Sequence, residues 1–174
     1  MLAACVAIAF SLFFASVVVV GSRRYFMESR LGESPFGTLF SAFGGPHYLN
    51  VVFVQFMKSL FIFLWSLLFI IPGIVKAYQY RMVDYLLAEN PSMDYHRALE
   101  LSRQTTAGEK WDMFVLDLSF IGWFWLGALA LGIGVLFVAP YYEATWAEFY
   151  AAMRAKTFAS NMADETELGD FYRH

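Results

Sequence analysis

The sequence has few charged residues: Asp, Glu, Lys and Arg make up 16% of its 174 residues, whereas 59% are hydrophobic and 20% aromatic. A soluble domain of this size needs more charge to keep its surface hydrated. The composition therefore argues against an ordinary soluble domain and indicates a membrane protein. The net charge of −3, with acids and bases interleaved, also argues against a nucleic-acid partner, which requires clustered and uncompensated Lys and Arg.

Residues that carry chemistry are equally scarce. The single cysteine, Cys5, cannot form an intramolecular disulfide and is predicted to be a small core residue. His47, His96 and His174 are far apart, and none has a second ligand at helical or loop spacing, so no metal or other cofactor is expected. The chain also lacks a nucleophile elbow and a phosphate-binding glycine loop. We therefore predict that it is not an enzyme.

Long uncharged runs are present instead, and a bilayer-spanning helix needs about 20 apolar residues. The first run ends at Arg23 and Arg24 and has no basic residues before it, which favours a retained helix over a signal peptide. At least three spans are predicted. The four runs without Asp, Glu, Lys or Arg are Met1–Ser22, Ser34–Met57, Ser59–Val75 and Leu118–Tyr142.

Two topologies fit these runs. A three-span topology leaves the basic residues between Lys76 and Lys110 outside the cell, against the positive-inside rule. A five-span topology reverses the chain at Ile71–Gly73 and again at Leu131–Gly134, and makes Ile74–Glu89 a short returning helix. In that arrangement none of the 12 Lys and Arg residues faces outside. We therefore predict five spans, with the amino terminus outside and the carboxyl terminus in the cytoplasm.

The predicted fold is all-α: a polytopic helical membrane protein of repeated hairpins with short cytoplasmic amphipathic helices. Residues 1–156 form a single membrane domain, and residues 157–174 are expected to be an acidic, flexible tail. Because its first part is only the returning half of a hairpin, the expectation is that the rising half is missing before residue 1. The predicted units of the membrane domain are a half hairpin (1–30) and two full hairpins (47–89 and 111–155).

Polar residues inside the predicted spans are the candidate functional cluster. They either pair within the bundle and fix it, or line a polar, tyrosine-rich cavity for a solute or a lipid headgroup. Counting depth at about 1.5 Å per residue predicts the partners Lys58 with Glu143 and Arg81 with Asp117. The candidate intramembrane residues are Lys58, Lys76, Tyr80, Arg81, Asp84, Asp117, Glu143 and Glu148.

The segment between the two full hairpins predicts a cytoplasmic amphipathic helix over residues 92–104. Asn90 is interpreted as its N-cap and Pro91 as part of its first turn. A protein partner is predicted to dock on this helix, alongside the lipid bilayer that surrounds the spans. The sequence indicates no oligomeric state.

Several strings occur in the order IPGIVKAYQY, LAENP, ALELSRQ, GEKW, LDLSFIGW, LGIGVLFVAPY and EFY. Together they resemble a bacterial integral-membrane family, domain of unknown function 975, over roughly Phe36–Tyr150. That family is distantly similar to the membrane domain of some glycerophosphodiester phosphodiesterases. The resemblance implies about six spans and no activity, and the chain departs from the family pattern at Thr105, Thr106 and Ala107.

The function predicted from these observations is a non-catalytic membrane scaffold or an interaction partner of another membrane protein. The alternative is a transporter, or a lipid- or solute-binding protein, that uses a polar cavity between the returning helices. The family resemblance and the basic-residue count place the chain in the bacterial cytoplasmic membrane as a multi-pass protein with a cytoplasmic carboxyl terminus.

Overall fold

The structure, a computed structural model, describes residues 2–30, 32, 36–40, 46–129 and 132–168, and the side chains of residues 2–13, Cys5 among them, lie outside what it describes. Every regular element in these ranges is helical, which confirms the all-α prediction. A short 3-10 helix at Phe36–Phe40 follows the first α-helix. The α-helices are α1 (Leu2–Ser29), α2 (Tyr48–Leu68), α3 (Ile70–Gln79), α4 (Val83–Glu89), α5 (Tyr95–Thr105), α6 (Lys110–Leu129), α7 (Ile133–Ala159) and α8 (Glu165–Leu168).

The first reversal lies at Phe69, so the prediction that Pro72 and Gly73 form the turn is wrong. Phe69 has extended backbone angles (φ −158°, ψ 142°) and separates α2 from α3. Pro72 is the third residue of α3, where a helix has no acceptor for a backbone N–H, so the proline costs no hydrogen bond. Gly73 instead allows α3 to lie against α2, because a Cβ there would be 2.2 Å from Ser66 Oγ.

The second reversal involves Gly132, which adopts a left-handed conformation (φ 76°) immediately before α7. This matches part of the predicted break at Leu131–Gly134; Leu131 lies outside the described residues. Gly134 is inside α7, where its backbone contacts that of α6: a Cβ at this position would be 2.6 Å from Gly127 Cα. Each hairpin therefore has a glycine that permits close helix contact near its turn.

Replacing Gly134 with alanine tests this close contact. We expect Gly134→Ala to lower the free energy of unfolding by about 1–3 kcal/mol, because the opposing atom is backbone and cannot rotate away. The matched control is Gly122→Ala in α6, where a Cβ meets nothing within 4 Å; there alanine improves helix propensity by about 0.5–1 kcal/mol. Unfolding of the purified variants in one detergent compares them, and equal stabilities of the two would contradict the contact.

The returning helix of the first hairpin is broken, so the prediction of one continuous helix over Ile74–Glu89 is wrong. A turn at Tyr80–Met82 separates α3 from α4. The carbonyl oxygen of Gln79 accepts hydrogen bonds from Ser102 Oγ (2.9 Å) and Thr106 Oγ1 (3.3 Å), in and just after α5. These hydroxyl groups satisfy the carbonyl at the end of α3, which lets α4 take a different direction.

The buried core forms around α4. All seven of its residues are buried, and α1, α2 and α5 pack against it. α1 also packs against α7, whose Trp146 is 1% exposed. The ends of both hairpins are apolar but uncovered: Ile70, Leu129 and Phe137 are each 76% exposed. The molecule thus has a compact helical core from which two apolar hairpins project.

The helix after α4 begins later than predicted. Asp94, rather than Asn90, is the N-cap of α5, and its carboxylate accepts from the backbone N–H of His96 at 2.9 Å. Asn90 instead accepts from the backbone N–H of Ser92, closing a local turn. One face of α5 is buried, including Ala98. The opposite face of α5 is exposed, and docking of a protein partner on residues 92–104 stays a prediction.

The prediction of a flexible tail is wrong for residues 157–168. α7 continues to Ala159, and the chain then folds back as α8, in which Leu168 is 1% exposed. The Arg97 guanidinium in α5 forms two hydrogen bonds with the Glu167 carboxylate, at 2.6 and 2.9 Å. A buried leucine and this ion pair hold α8 to the core, a role that its acidic composition does not reveal. Residues 169–174 lie outside the described residues.

Candidate functional site: an inter-helix charge network

One centre of charge lies between α2 and α4. Lys58 Nζ pairs with Asp84 Oδ1, and Gln55 Nε2 donates to the same oxygen at 2.7 Å. The side chains of Lys58 and Asp84 are 14% and 11% exposed. The sequence prediction placed Lys58 opposite Glu143, and the structure contradicts it. Depth along a helix says nothing about its rotation, and α4 turns Asp84 towards α2.

A second centre joins the α3–α4 turn to α6 and α7. Arg81 donates to both carboxylate oxygens of Asp117, at 3.0 and 3.3 Å, which confirms the predicted pair. The hydroxyl groups of Tyr78 and Tyr142 also donate to Asp117, at 2.9 and 2.7 Å. The Arg81 guanidinium lies 3.8 Å from the Trp146 ring centroid. Asp117 therefore accepts four hydrogen bonds from three different segments.

Two acids of α7 pair with arginines in α1 and directly after it. Glu143 pairs with Arg23, and Glu148 pairs with Arg30, whose Nη2 lies 2.9 Å from Glu148 Oε2. The sequence prediction had assigned both arginines to the cytoplasmic surface as topology markers and did not give them partners. Spacing alone does not find these pairs, because Glu143 and Glu148, five residues apart, do not lie on one face of a helix.

Lys76 and Tyr80 are separate from both centres. Lys76 Nζ lies 4.9 Å from the ring centroid of Trp65 and 5.4 Å from that of Tyr80. Within the described residues no carboxylate oxygen lies within 4 Å of this ammonium group. Its charge is stabilised by the faces of two aromatic rings. The predicted cluster of eight residues is therefore divided among several places.

Two further ion pairs, which the sequence analysis did not predict, join α7 to the end of α4 and to the residue before α6. Arg154 in α7 donates to Glu89 at the end of α4 at 2.6 Å, and Tyr150 donates to the same carboxylate at 2.6 Å. Near the start of α6, the hydrogen bond from Lys156 lowers the pKa of Glu109 below its ordinary value. These pairs cross between elements that are distant in sequence, so they fix the relative positions of the helices.

The charged side chains between the helices form ion pairs with one another. In the described part of the chain, no three His, Cys, Asp or Glu side chains converge as metal ligands. The carboxylates of Asp84, Asp117 and Glu143 each meet a cation from another segment. Within the described residues, the buried Nε1 of Trp146 has no hydrogen-bond partner and offers a place for a polar molecule or water.

A comparison with protein-family models shows which family the chain belongs to. A family described as "Protein of unknown function (DUF975)" matches residues 56–157, more than half of the chain. The chain belongs to the DUF975 family. Neither the curated proteins nor the solved structures gave a match. The distant similarity to the membrane domain of glycerophosphodiester phosphodiesterases stays a prediction.

The DUF975 segment begins inside α2 and ends near the end of α7, so it contains most of both hairpins and most of the charge network. The pairs of Lys58 with Asp84 and of Arg81 with Asp117 lie wholly within it. Arg23 in α1 and Arg30, the residue after α1, lie outside it, although their acidic partners are inside. The pairs of Arg154 with Glu89 and of Lys156 with Glu109 also lie wholly within it. Among the described residues, four charge pairs are thus closed inside the family segment, and two depend on the arginines that precede it.

Proposed function

We propose that this DUF975 chain is an integral membrane protein whose two hairpins are embedded in the bilayer. The supporting observation is that the two most apolar helices are also largely exposed in the fold. In the described residues two helices, α2 and α6, are long and apolar enough to cross a membrane. Only 22% of the apolar window of α2 and 17% of that of α6 are buried. The core helix of a soluble protein would bury most of such a window, so lipid is the solvent that suits these surfaces.

The finer proposal is the five-span topology in the bacterial cytoplasmic membrane, with a cytoplasmic carboxyl terminus. α1 contributes a third uncharged run, and α7 returns from the second hairpin tip. α3 contains ten residues and is about 15 Å long, shorter than the roughly 30 Å hydrocarbon core. The break at Tyr80–Met82 lets α4 complete the return inside the protein, where α5 covers its backbone.

We further propose that the protein is a non-catalytic scaffold or an interaction partner of another membrane protein. This proposal is supported by the ion pairs, in which carboxylates between the helices are neutralised by cations from other segments. Such pairing stabilises one arrangement of the bundle and engages these three carboxylates in structural contacts. The exposed side of α5, which includes Glu100 and Arg103, is the polar surface offered to a partner.

A transporter, or a lipid- or solute-binding protein, is the second candidate. It is favoured by the interrupted helix at Tyr80–Met82, since discontinuous helices form the binding sites of many transporters. Tyr78, Tyr142 and Arg81 meet at this interruption. A substrate for such a site would have to displace or share the hydrogen bonds of Asp117.

Thiol labelling in intact cells tests the topology. In a Cys5→Ser background, we expect a membrane-impermeant thiol reagent to label Ile70→Cys and Leu129→Cys, because both positions lie next to the hairpin turns, which the five-span topology places at the outer face. Glu100→Cys on α5 should stay unlabelled until the cells are permeabilised. Gly73 and Gly134 are unsuitable positions, since each packs against a neighbouring helix. Labelling of Glu100→Cys together with protection of Ile70→Cys would contradict the proposed orientation.

Cross-linking in native membranes tests the scaffold. A tagged chain is cross-linked in cells, purified and analysed by mass spectrometry for proteins bound in defined amounts. A membrane protein recovered with the wild type, and lost on Glu100→Lys with Arg103→Glu, supports the scaffold. Recovery of the chain alone, together with accumulation of a solute that Arg81→Lys abolishes in proteoliposomes, supports the transporter.

A further inference from the structure

A cavity of about 200 Å³ lies where α1, the start of α2 and the end of α4 meet. It is separate from both centres of the charge network. Its inner wall is apolar and is formed by Val20, Val51, Leu87 and Ala88, all 3% exposed or less. Arg24 and His47 line the outer part, where His47 is exposed and the Arg24 side chain is 35% exposed. The cavity thus combines a dry interior with basic groups near solvent.

The basic groups at this cavity have unused hydrogen-bonding capacity. Arg24 donates through Nε to Glu28 at 2.9 Å, one turn along the same helix. Within the described residues its two terminal NH₂ groups and the imidazole of His47 have no hydrogen-bond partner. Arg23 and Arg30, by contrast, pair with acids of α7. The side chains of Arg24 and Glu28 are 35% and 25% exposed and lie one turn apart on the same helix, so this weak pair does not compete strongly with a ligand.

We propose that this cavity binds one anionic phospholipid, with its phosphate on Arg24 and His47 and the first part of one acyl chain against Val51 and Leu87. This inference rests on the proposed membrane location. In the proposed topology the cavity lies at the cytoplasmic ends of α1, α2 and α4, the level of the inner-leaflet headgroups. Basic pockets between helices on that side are suited to anionic headgroups.

The lining discriminates among ligands of related chemistry. A free phosphate ion would satisfy the donors but leave the apolar wall empty. A zwitterionic lipid would fill the wall but bring a second positive charge close to Arg24. The volume of about 200 Å³ is smaller than that of a typical drug-sized site, so it holds only part of one lipid and leaves the remaining chain in the bilayer.

Lipid binding to the purified full-length chain in detergent tests the proposal. Native mass spectrometry and thermal unfolding would compare phosphatidylglycerol, phosphatidylcholine and sodium phosphate as probes. We expect phosphatidylglycerol to be retained and to raise the unfolding temperature, and Arg24→Gln to reduce its affinity about fivefold. Lys110→Gln is the matched control, because it removes the same charge from a residue that does not line the cavity.

A second variant tests the apolar wall. Ala88→Leu fills the cavity from α4, so it should also weaken phosphatidylglycerol retention, provided that its unfolding remains cooperative. Equal retention of both lipids, equal stabilisation by sodium phosphate, or the same affinity for Arg24→Gln as for Lys110→Gln would overturn the proposal. Sedimentation of each variant with cell membranes is measured in parallel; a chain that stays in the membrane without lipid preference removes this inference and leaves the proposed function intact.

Discussion

Lys58→Met is expected to lower the free energy of unfolding by about 3–5 kcal/mol, the usual cost of leaving one partner of a buried ion pair behind. Of the hydrogen bonds formed within the described residues, Asp84 would keep the one from Gln55, at 2.7 Å. A carboxylate in the interior cannot replace the lost ammonium group with water at low cost. The variant should therefore unfold at markedly lower concentrations of a denaturing detergent than the wild type.

A double-mutant cycle separates this pair from the one that the sequence suggested. Asp84→Asn combined with Lys58→Met should recover part of the loss, because the uncompensated charge is gone and the amide oxygen can still accept from Gln55. Glu143→Gln combined with Lys58→Met should be additive within about 0.5 kcal/mol, since Glu143 pairs with Arg23. Coupling of Lys58 with Glu143, and none with Asp84, would mean that the helices pack differently.

Lys58 was predicted to pair with Glu143 but pairs with Asp84, and this difference shows which features of the fold the sequence predicts. Runs without charge gave the helical hairpins, because lipid or a dry interior excludes unpaired charges from a helix. Depth along the helix also gave the pair of Arg81 with Asp117. It failed for Lys58 because depth does not record which way a helix faces, and because the returning helix is broken between α3 and α4. That rotation depends on α4 being buried on all sides, which no local pattern records.

The breaks in the helices were misplaced for a related reason. Pro72 and Gly73 are local signals for a turn, yet both lie inside α3, and the chain reverses one turn earlier at Phe69. The actual break in the returning helix, at Tyr80–Met82, has no proline or glycine. It is stabilised by Ser102 and Thr106, more than 20 residues away in sequence. A contact made by the folded chain thus outweighs local propensity.

The same folded context determines the effect of changing Arg81. Arg81→Met removes the donor of two hydrogen bonds to Asp117 and the cation beside Trp146, while Tyr78 and Tyr142 still donate to the carboxylate. The side chains of Arg81 and Asp117 are 25% and 20% exposed, more than those of the Lys58 pair. We therefore expect a loss of about 3 kcal/mol, at the lower end of the range for a buried pair.

Graded substitutions distinguish the charge of Arg81 from its shape. Arg81→Lys keeps the charge but cannot make two parallel hydrogen bonds or lie flat on Trp146, so its loss should be intermediate. Tyr78→Phe and Tyr142→Phe each remove one hydroxyl donor, for about 1 kcal/mol apiece. Asp117→Asn with Arg81→Met should be more stable than Arg81→Met alone. If Arg81→Met unfolds like the wild type, or if Arg81→Lys is as damaging as Arg81→Met, then the Arg81 charge does not stabilise the junction of the two hairpins.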